Sequence, residues 1–325
     1  IEADIPYELC DTDMGELFTK EAYEWCLKLN FKNMLSRFDQ SKVAEKIQRE
    51  YHSVTELSEA EDVFDACAKA ESPAFTFYVA DGESSALEAV AVCLDEEKLY
   101  CLFIRNFITE DYVVSRLKAL AESFAESNKK LLTFDVKKCY DYIPCDNTEV
   151  FFDCKLAAYL LNPNHKEYEL EDVAAEHGDI NCRDYKQCFG KKSLSDVIEE
   201  DEQEFVEYAC MRSLALQKAY IPLKEKLTKE NMVSLYDNIE MPLTYVLYDM
   251  EKEGVLAEGD ALKEYSAVLG EKIAELEKRI YEQVGETFNI NSPKQLGEIL
   301  FEKMGLKGGK KTKTGYATDA ETLGK

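Results

Sequence analysis

Two acidic residues lie close together in the stretch FTFYVADGES, which occupies positions 75–84. The apolar start of this stretch predicts a buried strand, and the glycine between Asp81 and Glu83 predicts a turn at its end. Paired carboxylates at a strand end suit Mg²⁺, because Mg²⁺ prefers oxygen ligands and can hold a phosphate. The first hypothesis is therefore a metal-dependent nuclease site at Asp81 and Glu83, with a simple polar turn as its alternative.

Length and composition indicate the class of protein that would contain such a site. The chain has 325 residues, of which 46% are hydrophobic and 11% aromatic, as in packed globular proteins of more than one domain. No apolar run is long enough to span a membrane, and the N-terminus lacks a secretory signal. We therefore expect a cytoplasmic protein with no membrane partner. The sequence begins without Met and ends at ETLGK within a helical pattern, which indicates a piece of a longer protein.

The 11 cysteines do not form a metal-binding pattern. The chain has no C-x-x-C pair, and no histidine lies near the closest cysteine pairs to complete a zinc site. Reduced and mostly buried thiols are the expected state in a reducing cytosol. The histidines, His52, His165 and His177, are scattered and form no obvious catalytic pair.

Charge is distributed unevenly along the chain. A formal net charge of −26 argues against nucleic-acid binding by the chain as a whole, because phosphate contacts require Lys and Arg. The segment GLKGGKKTKTGYAT at 305–318 nevertheless contains lysines and no acid: Lys307, Lys310, Lys311 and Lys313. A phosphate contact and an exposed solvated loop are equally compatible with this pattern.

The pattern of apolar residues changes at about position 225, and the part before that position predicts both strands and helices. Between about 42 and 225, short apolar runs such as AFTFYVA, LEAVAVCL, KLYCLFI and KLLTFDV alternate with helical patterns such as SRLKALAESFAES and CKLAAYLLN. This alternation predicts an α/β domain, and the short turns between the early strands favour a mixed sheet over a purely parallel one.

After about 226 the pattern is helical. Apolar residues at heptad spacing predict one long amphipathic helix over 262–284: Leu262, Leu269, Ile273, Leu276 and Ile280. The helix could pack on its own chain or, as the less favoured alternative, form a dimerisation module. Ser292 and Pro293 predict the start of the next helix, and Gly305 predicts its end.

Several segments resemble the bacterial DNA polymerase I family, the family A DNA polymerases. IEMPLTYVLYDMEKEGV at 239–255 and FNINSPKQLGEILFEKMGLKGGKKTKTGYATDAETL at 288–323 resemble the beginning of the polymerase thumb. FFDCKLAAYLLNP at 151–163 and YELEDVAAEHG at 168–178 resemble the family's 3′–5′ exonuclease domain, and LNFKNMLSRF at 29–38 resembles the segment leading into it.

The resemblance implies a domain order. Residues 1–41 would be a lead-in segment from the 5′ nuclease linker, and 42–228 an exonuclease-like domain with a ribonuclease H-like mixed sheet and flanking helices. Residues 229–325 would be an all-α, incomplete start of the thumb, with the palm and fingers outside this sequence.

Active exonuclease domains of the family bind two metal ions through acids in three motifs, and aligning those motifs to this sequence predicts their loss. The first motif, D-x-E, falls on Tyr78 and Ala80, and the second, N-L-K-Y-D, places Cys139 at its Asp. The third, Y-x-x-x-D, places Phe205 at its Tyr and Ala209 at its Asp. Since Mg²⁺ needs oxygen ligands, the resemblance implies a vestigial exonuclease without a metal.

Two alternatives to this silent scaffold stay open. As the less favoured alternative, a shifted, working 3′–5′ exonuclease site could be formed by Asp81, Glu83, Asp135 and Asp153. Asp135 and Asp153 could instead be strand-end or cap carboxylates facing water. The long helix could instead serve as the dimerisation module.

The resemblance also implies a partner, primer-template DNA, held weakly and in a salt-dependent manner by a monomer. The implied DNA-binding residues are Asn289, Asn291, Ser292, Lys294, Lys310, Lys311, Lys313 and Thr314. The parent protein would be a template-directed DNA polymerase of replication and repair that uses Mg²⁺. This segment itself is expected to hold no cofactor and to be catalytically inactive.

Overall fold

The computed structural model describes residues 17–28, 31, 34, 37–38, 49–80, 86–307, 309–312 and 315–324. The chain divides into two compact units, Ile1–Glu253 and Gly254–Lys325. The domain boundaries expected from the sequence, at 41/42 and 228/229, stay a prediction.

A six-stranded sheet forms the centre of the first unit. Its strands are β1 Tyr51–Val54, β2 Ala74–Val79, β3 Leu87–Cys93, β4 Leu99–Phe103, β5 Leu131–Thr133 and β6 Phe151–Asp153. They lie in the order β1-β4-β3-β2-β5-β6. Strands β2, β3 and β4 form an antiparallel meander, whereas β1 pairs with β4, and β5 with β2 and β6, in parallel. The predicted mixed sheet is confirmed.

Helices surround this sheet. They are α1 Lys20–Lys28, α2 Leu57–Lys69, α3 Glu110–Ser127, α4 Val136–Cys139, α5 Cys154–Leu161, α6 Leu170–His177, α7 Tyr185–Phe189, α8 Leu194–Glu200, α9 Glu202–Lys229, α10 Val233–Leu235 and α11 Met241–Glu253. A π-helical turn, Tyr236–Glu240, joins α10 to α11. The predicted helical patterns at 115–127 and 154–162 fall on α3 and α5.

Helix α9 forms one wall of the hydrophobic core. Its N-cap residue, Asp201, accepts a hydrogen bond from the Glu204 amide, and its apolar residues then recur at helical spacing and are buried. The helix packs on strands β1 to β5. Because consecutive residues of β3 are buried, both faces of the sheet are covered. This wall places α9 directly over β2, the strand that carries Tyr78.

The second unit is mostly helical. Its elements are α12 Gly259–Val284, α13 Pro293–Gly297, a π-helical segment Glu298–Lys303, β7 Lys311–Thr312, β8 Gly315–Tyr316 and α14 Ala320–Leu323. The predicted long helix is confirmed by α12. The Ser292 hydroxyl accepts from the Gln295 amide, which confirms the predicted N-cap. Gly305 adopts φ +65°, as a residue that ends a helix commonly does.

The β7–β8 hairpin lies against the helical segment before it. The Tyr316 and Phe301 rings are 5.1 Å apart. A Cβ on Gly297 would lie 2.9 Å from the Tyr316 Cβ, and a Cβ on Gly309 would lie 2.7 Å from the Phe301 ring. Both glycines are therefore required by close packing, and the backbone on either side of the hairpin is fixed to the helix.

Among the described residues, no helix combines the length and the apolar character that crossing a membrane requires.

Candidate functional site

Tyr78, the predicted position of the first metal-binding acid, lies on β2 under helix α9. Its phenol donates a hydrogen bond to the carbonyl oxygen of Ala209 at 3.4 Å and accepts one from the Thr76 hydroxyl at 3.3 Å. Burial raises the pKa of the Tyr78 phenol well above its ordinary value. A neutral phenol therefore occupies this position.

Two residues of the predicted third motif lie across from Tyr78. Phe205 and Ala209 are buried on α9, and the Tyr78 ring meets the Phe205 ring edge to face at 5.1 Å. The structure thus brings together three positions that are far apart in sequence. Phe205 and Ala209 have no side-chain oxygen, and the tyrosine hydroxyl is protonated, so this group cannot replace the carboxylates that Mg²⁺ requires.

A partly buried ion pair adjoins Tyr78. Arg212 lies one turn after Ala209 on α9 and forms an ion pair with Glu171 of α6. Its guanidinium also lies 5.3 Å from the centre of the Tyr208 ring. Although burial alone would lower the pKa of Arg212, the neighbouring Tyr78, Tyr208 and Glu171 raise it, so the charge is permanent. A fixed cation within the protein therefore stands close to the predicted metal position.

The other two predicted positions, Ala80 and Cys139, also have no carboxylate. Ala80 follows the end of β2, and its amide donates to the carbonyl of Ala86. Cys139 is buried at the end of α4, where its thiol contacts the carbonyl oxygen of Asp135 at 3.8 Å. Burial, and then the charges of Asp153 and Asp135, raise the pKa of this thiol. Cys139 is therefore a neutral, buried thiol and an unsuitable ligand for Mg²⁺.

Asp153, part of the proposed shifted acid cluster, is a buried capping residue. Its carboxylate accepts hydrogen bonds from four amides: Asp135 at 3.0 Å, Val136 at 2.9 Å, Lys155 at 2.9 Å and Leu156 at 3.4 Å. It thereby joins the start of α4 to the start of α5. The expectation that this carboxylate faces water is wrong, since Asp153 is only 4% exposed.

The backbone of Asp153 is also anchored. The Tyr236 hydroxyl lies 2.6 Å from the Asp153 amide nitrogen and 3.2 Å from its carbonyl oxygen. Burial raises the pKa of the Asp153 carboxyl to about 6, and the backbone hydrogen bonds oppose that rise. The residue therefore holds three chain segments together.

Asp135 is engaged by lysines rather than free to bind a metal. Its carboxylate lies 2.8 Å from the Lys155 ammonium and 3.3 Å from that of Lys138. Burial pushes the pKa of Asp135 up, but the two lysines more than offset it, so the pKa is lowered. Asp81 and Glu83, the other members of the shifted cluster, lie outside the described residues.

Within the described part of the chain, no three His, Cys, Asp or Glu side chains are grouped as a metal site would require. The residues at the predicted positions therefore do not fit a two-metal centre. Sequence reasoning missed the Arg212–Glu171 pair, which no local pattern indicates. The cap role that the sequence offered as one alternative for Asp153 is present, in keeping with an aspartate directly before the apolar helical pattern CKLAAYLL.

The predicted DNA-binding residues of the second unit fall into two groups. In the first, the Asn289 side chain accepts from the Asn291 amide at 3.0 Å, and the Gln295 side chain accepts from the Asn289 amide at 2.9 Å. Ser292 caps α13, while Lys294 follows it in the first turn and is exposed. The side chains of Asn289, Ser292 and Gln295 therefore accept hydrogen bonds from backbone amides within this same turn.

The second group lies around the β7–β8 hairpin. Lys310 precedes β7 and accepts from the Ala317 amide through its backbone carbonyl. Lys311 is exposed, and its ammonium lies 5.8 Å from the centre of the Tyr316 ring. Lys313 and Thr314 lie outside the described residues.

Two family sequence profiles match the chain. "DNA polymerase I, ribonuclease H-like domain" matches residues 103–219, and "DNA polymerase family A" matches residues 259–325. The chain belongs to DNA polymerase family A. The first unit accordingly contains a ribonuclease H-like domain of that family, and its mixed sheet with flanking helices agrees with this match.

Curated family A relatives are DNA polymerase I proteins. That of Bacillus subtilis (strain 168) is 37% identical over 222 residues, covering 67% of this chain and 25% of the relative. That of Caldicellulosiruptor bescii is 29% identical over 331 residues, covering 97% of this chain and 34% of the relative. The chain thus spans about a quarter to a third of these relatives.

A solved structure shows the same fold. The polymerase domain of Pol1 from M. smegmatis, in complex with DNA primer-template and dNTP, superposes with a TM-score of 0.61 at 21% identity. The match covers 84% of this chain and 44% of that chain.

Proposed function

We propose that this chain is part of a template-directed DNA polymerase in which the exonuclease-type domain is a catalytically silent scaffold. The observation that carries this proposal is the Tyr78 phenol, which fills the predicted position of a metal-binding acid and hydrogen-bonds to Ala209, the predicted position of another. The pairing of Asp135 with lysines and the capping role of Asp153 support it, because both carboxylates are already used.

The second unit contributes to holding primer-template duplex in this proposal. Lys294 and Lys311 are exposed, and together with Lys310 and Lys313 they supply positive charge for phosphate contacts. The supporting comparison is the M. smegmatis Pol1 polymerase domain, a structure that contains DNA primer-template. Mg²⁺ would act in the parent polymerase, and this proposal assigns no cofactor to the present segment. A cytoplasmic monomer is proposed, consistent with free thiols at the described cysteines.

A nuclease assay tests the silent scaffold. Single-stranded DNA is labelled at its 5′ end and incubated with the chain and Mg²⁺ or Mn²⁺, beside an Asp81→Ala/Glu83→Ala double variant and an unrelated active 3′–5′ exonuclease. We expect no metal-dependent shortening by either form of the chain. Shortening that disappears in the double variant would establish the alternative, a working 3′–5′ exonuclease that uses Asp81 and Glu83.

A salt titration tests the DNA-binding role. With about four phosphate contacts, the affinity for a primer-template duplex should fall about 150-fold between 50 and 200 mM salt. Lys310→Ala/Lys311→Ala should reduce the slope of log K against log salt by about 2. Lys263→Ala in α12 is the matched control, because Lys263 is exposed and its ammonium lies 3.4 Å from the carboxylate of Asp260 on the same helix. An unchanged slope in the double variant would remove these lysines from the interface.

A further inference from the structure

The edge of the sheet in the first unit borders a groove that the residues at the predicted nuclease positions do not line. The groove has a volume of about 400 Å³ and lies between β1 and α2. Its size falls within the range of about 300–1,000 Å³ that is typical of ligand pockets. It is therefore large enough for several side chains of a bound molecule.

The backbone of β1 offers hydrogen-bonding groups at this groove. Within the described residues β1 is the end strand of the sheet and pairs on one side only, with β4. In a parallel ladder alternate N–H and C=O groups of an end strand point away from its neighbour. Such an edge can accept a further extended strand, as in peptide recognition by strand addition.

The groove surface combines an aromatic platform with acids. The rings of His52 on β1 and Tyr100 on β4 are stacked with centres 5.3 Å apart. Val63 is buried at the base, whereas Glu59 and Asp62 on α2 expose their carboxylates along the same groove. The described lining contains no lysine or arginine. A cationic ligand is favoured, and the phosphate backbone of a nucleic acid is not.

We propose that the β1–α2 groove binds an extended, lysine- or arginine-containing peptide segment of a partner protein. The segment adds a seventh strand beside β1, so that its backbone supplies most of the hydrogen bonds. Side chains on one face lie toward Glu59 and Asp62, and an apolar or aliphatic group covers the His52 ring. The groove is separate from the predicted nuclease positions, because Tyr78, Ala209 and Asp153 do not line it. The peptide proposal therefore does not depend on whether the domain has nuclease activity.

Fluorescence polarisation tests the proposal with the whole chain and a labelled six-residue peptide of alternating lysine and valine. Asp62→Lys should weaken binding about fivefold, because one favourable exposed ion pair becomes a repulsive one. Glu61→Lys is the matched control: Glu61 is exposed on the same helix but does not line the groove. It should change the affinity by less than about twofold. Equal weakening by both variants would mean that only the net charge matters and would overturn the proposal.

Methylated peptides test the strand geometry. Alternate N–H groups of an extended peptide point to opposite sides, so methylation of one set should abolish binding and methylation of the other should not. Amide exchange at β1 should also slow when the unmethylated peptide binds. Equal binding by both methylated peptides would rule out strand addition. Competition by a short oligothymidylate, with no effect of Asp62→Lys, would assign the groove to nucleic acid and reject the peptide.

Discussion

The replacement of Asp153 by asparagine separates a structural acid from a metal-binding one. Asparagine has nearly the same shape as aspartate. Its NH₂ group, however, would face one of the backbone N–H groups that now donate to the Asp153 carboxylate. A donor that loses its buried acceptor costs about 1–3 kcal/mol, which is the expected loss of unfolding free energy at pH 7.5. If the domain is a silent scaffold as proposed, the substitution should not change nuclease activity.

The pH dependence of that loss has a definite sign. Burial raises the native pKa of Asp153 to about 6 from the ordinary 3.8, so the native state binds the proton more tightly than the unfolded chain. The resulting stabilisation is fully present below pH 3.8 and is lost as the pH rises through about 6. At pH 5.0 it amounts to about 1 kcal/mol, which asparagine cannot supply. The gap between wild type and variant should therefore widen by that amount from pH 7.5 to 5.0.

Urea unfolding of both proteins at the two pH values measures this gap, with Asp146→Asn as a control for an exposed carboxylate in the same unit. The reasoning fails if the gap narrows at pH 5.0. That result would mean that the four amide hydrogen bonds outweigh burial and hold the native pKa of Asp153 below its ordinary value.

Three further substitutions test the packing around the predicted nuclease positions and α9. Tyr78→Ala should lower the unfolding free energy by about 3–5 kcal/mol in urea, because it empties a site between aromatic rings; a loss below about 1 kcal/mol would show that the ring is not packed. Arg212→Met should cost about 1–3 kcal/mol because it leaves the partly buried Glu171 carboxylate unpaired. Adding Glu171→Gln should recover much of that loss, and no recovery would mean that the two residues are not coupled. Burial and the ammonium of Lys226, 2.9 Å from the His177 ring, lower the native pKa of His177. The melting temperature of the wild type should therefore fall as the pH drops below 6.5, whereas that of His177→Gln should not. An equal fall in the melting temperatures of both proteins would refute this reasoning.

Local patterns predicted the sheet and the long helix because their signals lie within each segment. AFTFYVA and LEAVAVCL combine β-branched and aromatic residues with short turns, and both became strands of the meander. The heptad spacing likewise identified α12. Strand β1 was not predicted, since YHSV mixes polar and apolar residues and obtains its strand conformation by pairing with β4.

The candidate site depended on contacts between distant residues. The alignment of motifs predicted Tyr78, Phe205 and Ala209 as related positions, and the structure places them together. Neither the pairing of Arg212 with Glu171 nor the burial of Asp153 is encoded in a local pattern. Both arise from the packing of α9, α6 and the start of α5, which only the folded chain brings together.

The close approach of the β7–β8 hairpin to the π-helical segment has an entropic consequence. Gly297 and Gly309 let Tyr316 and Phe301 pack so closely that the backbone carrying Lys310 and Lys311 is already ordered. Fixing the backbone of a free loop costs about 1–2 kcal/mol per residue. The backbone of these two lysines has already lost this conformational entropy on folding. When they contact an anion, only their side chains therefore have to become ordered.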